Sequence, residues 1–227
     1  MVRTVALIPA RGGSTGVPRK NLAMLAGRPL ISHTIDAAQK SGVINVVYVS
    51  SDDNEILRTA ADACCRTIRR PADFSSNTAT AVDVVRHALD GVLRDEPDSC
   101  FLVYLQPTSP LRTAAHVREA HTLMAASASQ AVVSVVEMDK SPFKAFAVNT
   151  AGELQSLFDE ALSNANRQSL PKTYLPNGAI YGFTLGAFRK HAAFPTNGSV
   201  PYVMSRRESL DVDSQDDLNA VRALMEK

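Results

Sequence analysis

Residues 8–21 read IPARGGSTGVPRKN, a glycine-rich, basic turn that follows the first apolar run of the chain. Gly12, Gly13 and Gly16 let a backbone approach an anion closely, while Arg11, Arg19 and Lys20 supply positive charge. The run before it, TVALIP at 4–9, reads as a buried strand; beyond it, Leu30, Ile31, Ile35 and Ala38 keep helical spacing. A buried strand, an anion-binding loop and a helix together open an α/β sheet. Two common phosphate loops are excluded. Gly16 is followed by Val17 and Pro18 rather than by Lys-Ser/Thr, and no GxGxxG is present.

Outward from this unit the pattern repeats. INVVYVS (44–50) reads as a strand, and Ile56, Leu57, Ala60, Ala61 and Cys64 share one helical face. RTIRRP (66–71) is a short extended piece, followed by a helix bearing Val82, Val85, Leu89 and Val92. CFLVYLQP (100–107), AAHVREAHTLMAA (114–126) and QAVVSVVE (130–137) continue as strand, helix, strand. The order predicts a Rossmann-like, mostly parallel sheet with helices on both faces. Ligands of such sheets sit outside the carboxyl ends of the strands, so the basic loop, SSDDNE (50–55) and QPTSPLR (106–112) should converge on one rim.

Length and composition suit one large domain over 1–227, or one domain carrying an excursion. With 24 basic and 23 acidic residues the formal charge is only +1, which argues against nucleic acid as a partner and makes any phosphate site local. The first apolar run is too short for a signal peptide and no later one is long enough for a bilayer, so no membrane role is expected. Cys64, Cys65 and Cys100 are odd in number and lack zinc spacing, which places the chain in the cytoplasm. Regularity breaks between Lys140 and Pro176, and so long a stretch suggests an arm used between subunits.

Two further patterns carry chemistry. In DVD at 211–213, read as a strand, Asp211 and Asp213 share a face and could hold one Mg²⁺ beside substrate phosphates; alternatively Asp213 caps the helix after Ser214 and Asp211 is merely solvated. Ser214 and Asp217 form a capping box there. Gln106, ending a strand, offers a donor and an acceptor to a ligand, or else belongs to a Pro-bounded turn before a helix starting at Thr113. The five histidines share no ligand spacing, and DDNE at 52–55 reads as a helix N-terminus.

Taken together, IPARGGSTGVPRKN, RRPADFSSNTAT (69–80), LQPTSPLR (105–112), RQSLPKTYLPNGAIY (167–181) and LDVDSQDDL (210–218) resemble the acylneuraminate cytidylyltransferase family, in order and over about residues 4–222. The resemblance implies a CTP-dependent enzyme that makes the CMP derivative of a nine-carbon 2-keto-3-deoxy sugar acid (a nonulosonic acid) and releases pyrophosphate. It implies that Arg11, Lys20 and Asn21, with Ala10, Gly12, Gly13 and Ser14 of the same loop, hold the triphosphate. Arg70, Ala79 and Thr80 would meet the cytidine, and Gln106, Asn177, Tyr181 and Phe194 the sugar. Asp211 and Asp213 would bind Mg²⁺, for which Mn²⁺ can substitute, with Asp211 the proton acceptor, directly or through a metal-bound water. Arg11, Lys20 and Asp211 are thus the catalytic set. The family's dimerisation arm corresponds to 140–176, whose Lys144 and Arg167 would reach the neighbouring site of a homodimer.

The chain departs from the family pattern twice. Ser14-Thr15-Gly16 stands where the family has Ser-Lys-Gly, and Arg19 beside Lys20 is the available replacement cation. Leu175 stands where many relatives carry a basic residue, which leaves the sugar open and suggests a deoxy or methyl-bearing acid such as legionaminic or pseudaminic acid. The alternatives are a nucleotide-binding regulator weakened at Thr15, or a nucleotidyltransferase using GTP or an octulosonic acid.

Overall fold

The structure, a computed structural model, describes residues 2–14, 16–76, 78–195 and 197–226. Eleven strands are present among these residues: β1 Thr4–Pro9, β2 Met24–Leu25, β3 Arg28–Pro29, β4 Val46–Ser51, β5 Arg66–Arg69, β6 Phe101–Tyr104, β7 Val132–Glu137, β8 Phe146–Val148, β9 Leu154–Ser156, β10 Tyr174–Thr184 and β11 Val200–Val203. The helices are α1 Leu30–Gln39, α2 Asn54–Asp62, α3 Ala81–Asp90, α4 Ala114–Ala126, α5 Glu160–Asn164, α6 Leu185–His191 and α7 Gln215–Met225.

Seven strands form one sheet in the order β11-β7-β10-β6-β1-β4-β5. β1 runs parallel to both β4 and β6, β4 parallel to β5, and β7 parallel to β11; β10 alone is antiparallel to its neighbours β6 and β7. The period-2 alternation of β1 buries both faces. Val5 and Leu7 pack with Val84, Val85 and Ala88 of α3 and with Phe183 and Phe188, while Ala6 and Ile8 pack with Ile31, Ile35, Val117 and Ala120 of α1 and α4. Helices therefore cover both faces, as the pattern predicts.

From β1 the chain builds toward β4 and β5, then crosses back to β6 on the other side. The connections diverge at β1 and β6, which opens a crevice between their carboxyl ends.

The expected elements differ from the observed ones in particulars. The strand read over 44–50 pairs only from Val46, because the Asn45 side chain accepts the Thr4 amide at 2.7 Å and turns the chain. The third helix ends at Asp90 before Gly91, leaving Val92 outside it and exposed, and the buried residues are Val84, Val85 and Ala88. The stretch 140–176 is not structureless. It holds the β8–β9 hairpin, whose turn is set by Asn149 Oδ1 accepting from the amides of Ala151 and Glu153 and by Gly152 at φ 83°, followed by α5. Three-residue strands are too short for a periodicity to declare them. Among the described residues no helix is long and apolar enough to cross a membrane.

α2 illustrates local stabilisation near the crevice. Asp53 caps it, accepting the amides of Glu55 and Ile56 at 2.7 and 3.1 Å, with Arg19 alongside at 3.4 Å. Partial burial opposes its charge, but the amides and the guanidinium outweigh that and hold its carboxyl below the usual range. Asp53→Ala should cost about 1 kcal/mol near neutral pH by urea unfolding. A depressed folded pKa confers stability above the unfolded value and loses it as pH falls through the folded one, so the gap to wild type should close below about pH 4.

Candidate functional site

The loop leaving β1 is fixed from behind. The Ala10 amide donates to Ser50 O at 2.9 Å, and the Gly12 amide to Asp52 Oδ1 at 2.9 Å. A β-carbon at Gly12 would stand 2.8 Å from Asp53 Cβ. Ser14 Oγ donates to Val17 O and accepts the Lys20 amide, so the turn closes on itself. Asn21, buried, donates from Nδ2 to Arg11 O at 2.9 Å and draws both ends together. Gly16 faces the far segment: a β-carbon there would fall 1.9 Å from Asp213 O, so only glycine fits.

The crevice at the switch point is a cavity of about 510 Å³. Arg11, Ser14, Lys20 and Asn21 line it from the loop; Arg70, Ala79 and Thr80 from the β5–α3 connection; Gln106 from the end of β6; and Asp211 and Asp213 from the segment before α7. Ten of the residues singled out from sequence thus converge. Ala10, Gly12 and Gly13 do not line it, and the first two are spent supporting the loop. Arg19 is also outside. With its backbone at φ 51°, it turns its guanidinium to Glu55 and Asp53, at 2.9 and 3.4 Å, so it does not replace the missing lysine. Thr15 lies outside the described residues.

Arg70 is 5% exposed, and burial lowers its pKa against the opposing pull of Asp52. Its Nε has no hydrogen-bond partner among the described residues, which is unusual for a buried guanidinium and suits a ligand acceptor. Arg11 donates to Ser76 O at 3.3 Å. Lys20 Nζ donates to Val212 O at 2.7 Å and to Asp213 Oδ1 at 2.9 Å.

Residues 211–213 do not form a strand, contrary to the expectation, yet their alternation survives. Val212 is fully buried and its amide bonds Thr108 O at 2.8 Å, which throws both flanking carboxylates toward the cavity. Ser214 caps α7 with Asp217 as expected, so Asp213 is not needed as the cap. Burial raises the Asp211 pKa, helped by Asp213 and opposed by Thr108 and Lys20. Asp211 Oδ1 is buried without a partner among the described residues. Among the described residues no cluster of three or more metal-ligating side chains occurs. Two carboxylates, one carrying an orphaned oxygen, fit a hard cation that fills its remaining positions with water and phosphate oxygens.

A second hollow of about 500 Å³ adjoins the first, and Tyr104, Gln106 and Ala81 border both. Tyr181 and Phe194 line it. Phe194 is clamped edge-on by Tyr104, Tyr181 and Phe183 at ring distances of 4.9, 5.2 and 5.5 Å. Burial raises the Tyr181 pKa, with the Asp211 charge adding to it. Asn177 does not line the hollow; its amide accepts from Ser134 Oγ at 2.6 Å and donates to Ser209 Oγ at 2.9 Å. Lys144 and Arg167 lie on the 140–176 excursion, away from both cavities, with Arg167 donating to Asp139 O.

Arg112 escaped the sequence reading. Only 2% exposed, it donates to Gln106 O, Ala179 O and Thr34 Oγ1 at 3.0, 2.7 and 2.6 Å, and burial pushes its pKa down to about 9. It ties the Gln106 loop to β10 and α1. A buried arginine closing a strand-end turn looks like any solvated one in sequence, and only its place after two prolines hinted otherwise. Gly178, at φ 77°, completes the fit, since a β-carbon there would meet Gln106 Oε1 at 2.4 Å.

The folded-state pKa of Asp211 lies above its unfolded value, so its charge opposes folding at neutral pH and the penalty is relieved as pH falls. In metal-free protein Asp211→Asn should therefore raise Tm at neutral pH, with the gain over wild type shrinking as pH falls. Calorimetry in the presence of a chelator measures it.

The sequence model of the family described as cytidylyltransferase matches residues 5–212. The chain is 33% identical over 225 residues to the N-acylneuraminate cytidylyltransferase of Streptococcus agalactiae serotype III (strain NEM316), covering 95% of this chain and 52% of that protein. It thus spans about half the length of the first of its curated relatives. It is 32% identical over 235 residues to the CMP-N,N'-diacetyllegionaminic acid synthase of Legionella pneumophila subsp. pneumophila (strain Philadelphia 1), covering 99% of this chain and 97% of that protein. Among solved structures, CMP:2-keto-3-deoxy-manno-octonic acid synthetase complexed with CTP superposes with a TM-score of 0.73 at 19% identity, over 99% of this chain and 98% of that one. That likeness shows the fold.

Proposed function

Since the chain belongs to the cytidylyltransferase family, we propose that it couples CTP to a nine-carbon 2-keto-3-deoxy sugar acid, giving the CMP-sugar and pyrophosphate. The observation that carries this reading is the meeting of Arg11, Lys20 and Arg70 with Asp211 and Asp213 across one cleft, beside a separate hollow large enough for the acid.

In the proposed reaction the anomeric hydroxyl oxygen of the acid bonds to the α-phosphorus, and the bond from that phosphorus to the bridging oxygen of the β-phosphate breaks. The hydroxyl proton passes to Asp211, and the electron pair leaves on pyrophosphate. Such a transfer needs positioning and charge neutralisation more than covalent help. Arg11, Lys20 and Asn21, with Ser14, hold the β- and γ-phosphates and stabilise the leaving group; Gly12 and Gly13 shape the loop. Arg70, Ala79 and Thr80 face the nucleoside, and Gln106, at the border of both cavities, meets the acid with Tyr181 and Phe194. Mg²⁺ held by Asp211 and Asp213 would supply Lewis-acid charge neutralisation at the phosphates. Among the described residues the lining of the hollow includes no cation for the acid's carboxylate, which supports delivery of Lys144 and Arg167 from a second copy. Phe146, Val148, Leu154, Leu157 and Phe158 expose apolar surface along the same excursion, as an interface between copies requires. Three free thiols favour the cytoplasm as its compartment.

Pyrophosphate release, crossing CTP, GTP, UTP and ATP against nine-carbon acids with Mg²⁺, should show turnover with CTP and one such acid. Faster turnover with GTP would overturn the base assignment. Asp211→Ala should lower kcat by about 100-fold or more, and Lys20→Met similarly; near-normal turnover of the Asp211 variant removes it as proton acceptor. Sedimentation should give a dimer at assay concentration. Mixing Lys144→Ala with Asp211→Ala chains should restore part of the activity that each lacks; a monomer, or no complementation, rejects the shared site.

A further inference from the structure

A third recess, of about 180 Å³, shares no lining residue with the two cavities above. It lies between α1 and the first turn of α4, and Arg28, His33, Asp36, Lys40, Arg112 and Thr113 line it. Arg28 Nη1 and Lys40 Nζ both donate to Asp36 Oδ2, at 2.7 and 2.9 Å, so one carboxylate oxygen gathers two cations at the rim. His33 adds no charge near neutral pH: it is buried against Leu25 O, 2.9 Å from its Nε2, and burial lowers its pKa. Arg28, Lys40 and Arg112 thus stand against Asp36 alone, and the lining is positive.

The inner wall adds two features that draw an anion. Thr113 caps α4, its hydroxyl accepting the His116 amide at 3.3 Å. The other first-turn amides have no acceptor within the helix, and the positive end of the helix dipole opens on the recess, which Ala114 also lines. Arg112 is only 2% exposed, and its Nη1 and Nη2 are committed to Gln106 O, Ala179 O and Thr34 Oγ1. Its Nε has no acceptor among the described residues. A buried guanidinium with a donor unused is uncommon, and here it sits beside a helix start and two further cations.

At about 180 Å³, against about 510 and 500 Å³ for the other two cavities, the recess is too small for a nucleotide yet admits a single tetrahedral anion. We propose that it binds a small oxyanion of the phosphate class, held between the α4 N-terminus with Arg112 on the inside and Arg28 with Lys40 at the rim. The Asp36 carboxylate competes with that ligand for both rim cations. Because Arg112 also holds Gln106 O and Ala179 O, the bound anion braces the junction of the Gln106 loop with β10 and α1.

Inorganic phosphate is the probe. With ionic strength held constant by chloride, Tm should rise with phosphate concentration, and that dependence gives an apparent Kd. Arg28→Gln combined with Lys40→Gln should weaken binding by about tenfold or more, as the loss of two charge-assisted hydrogen bonds would. Lys40→Gln alone, which leaves Arg28 on Asp36, should shift Kd in the same direction and serves if the double variant does not fold. Asp36→Asn removes the competing carboxylate and should tighten binding several-fold, a gain that a merely structural role for these residues does not give. Lys20→Met, in the nucleotide cleft, should leave the response in place. The inference is overturned if phosphate does not raise Tm, if the rim variants bind it as wild type does, or if Asp36→Asn binds it no more tightly. It is equally overturned if the response is lost in Lys20→Met and kept in the rim variants.

Discussion

Gly16 and Asp213 lie almost two hundred residues apart, yet a single carbonyl oxygen separates them: a β-carbon at position 16 would fall 1.9 Å from Asp213 O. Lys20 fixes the same approach from the other side, its ammonium shared between Val212 O and Asp213 Oδ1. The anchor beneath is apolar. Val212 is fully buried in a cluster with Val17, Leu25, Leu30, Leu218 and Val221, so the hydrophobic effect presses the last helix and the first loop together. The flanking carboxylates are thereby set at the wall of the cleft. The position of the candidate metal site is thus decided by a valine rather than by the carboxylates themselves.

A second constraint holds the loop that carries Gln106. Among the described residues Arg112 has no carboxylate partner; two carbonyls and a threonine hydroxyl accept from it, its Nε is left unpaired, and burial pushes its pKa down to about 9. Without the arginine those buried carbonyls would lose their donors, a cost that sets against that of burying the charge. With Gly178 yielding space to Gln106, the residue that borders both cavities is packed closely against the β10 backbone.

The central strands and the long helices were legible because a strand buried on both faces and an amphipathic helix leave unambiguous patterns. TVALIP and AAHVREAHTLMAA correspond to β1 and α4 residue for residue. Much of the cleft was legible for a different reason: strand-end loops of an α/β sheet must converge, so charged residues in them meet. Interior hydrogen bonding was not legible. Asn177 has the composition of a ligand-binding residue, but the kink between Pro176 and Tyr181 turns its amide into the protein, where Ser134 holds it. Arg19 is as basic as Lys20 beside it, and a left-handed backbone sends it to α2 instead. Neither outcome has a local sequence signal, since each depends on partners 43 and 36 residues away.

The charge balance of the chain and the design of the cleft are one fact seen at two scales. A chain of net charge +1 exerts little field at a distance, so a polyanion must be recognised by groups already in place. Each cation of the cleft is held close to an acceptor or an acid: Lys20 on Asp213, Arg70 near Asp52, Arg11 on Ser76 O. These pairings keep long side chains ordered before any phosphate arrives, at a cost in raw attraction that a divalent cation on the carboxylates would offset. Where Thr15 replaces the family's lysine the loop has one cation fewer, and Arg19 is committed elsewhere. In the proposed reaction the burden of neutralising a departing pyrophosphate would therefore fall on Arg11, Lys20 and whatever the two aspartates hold.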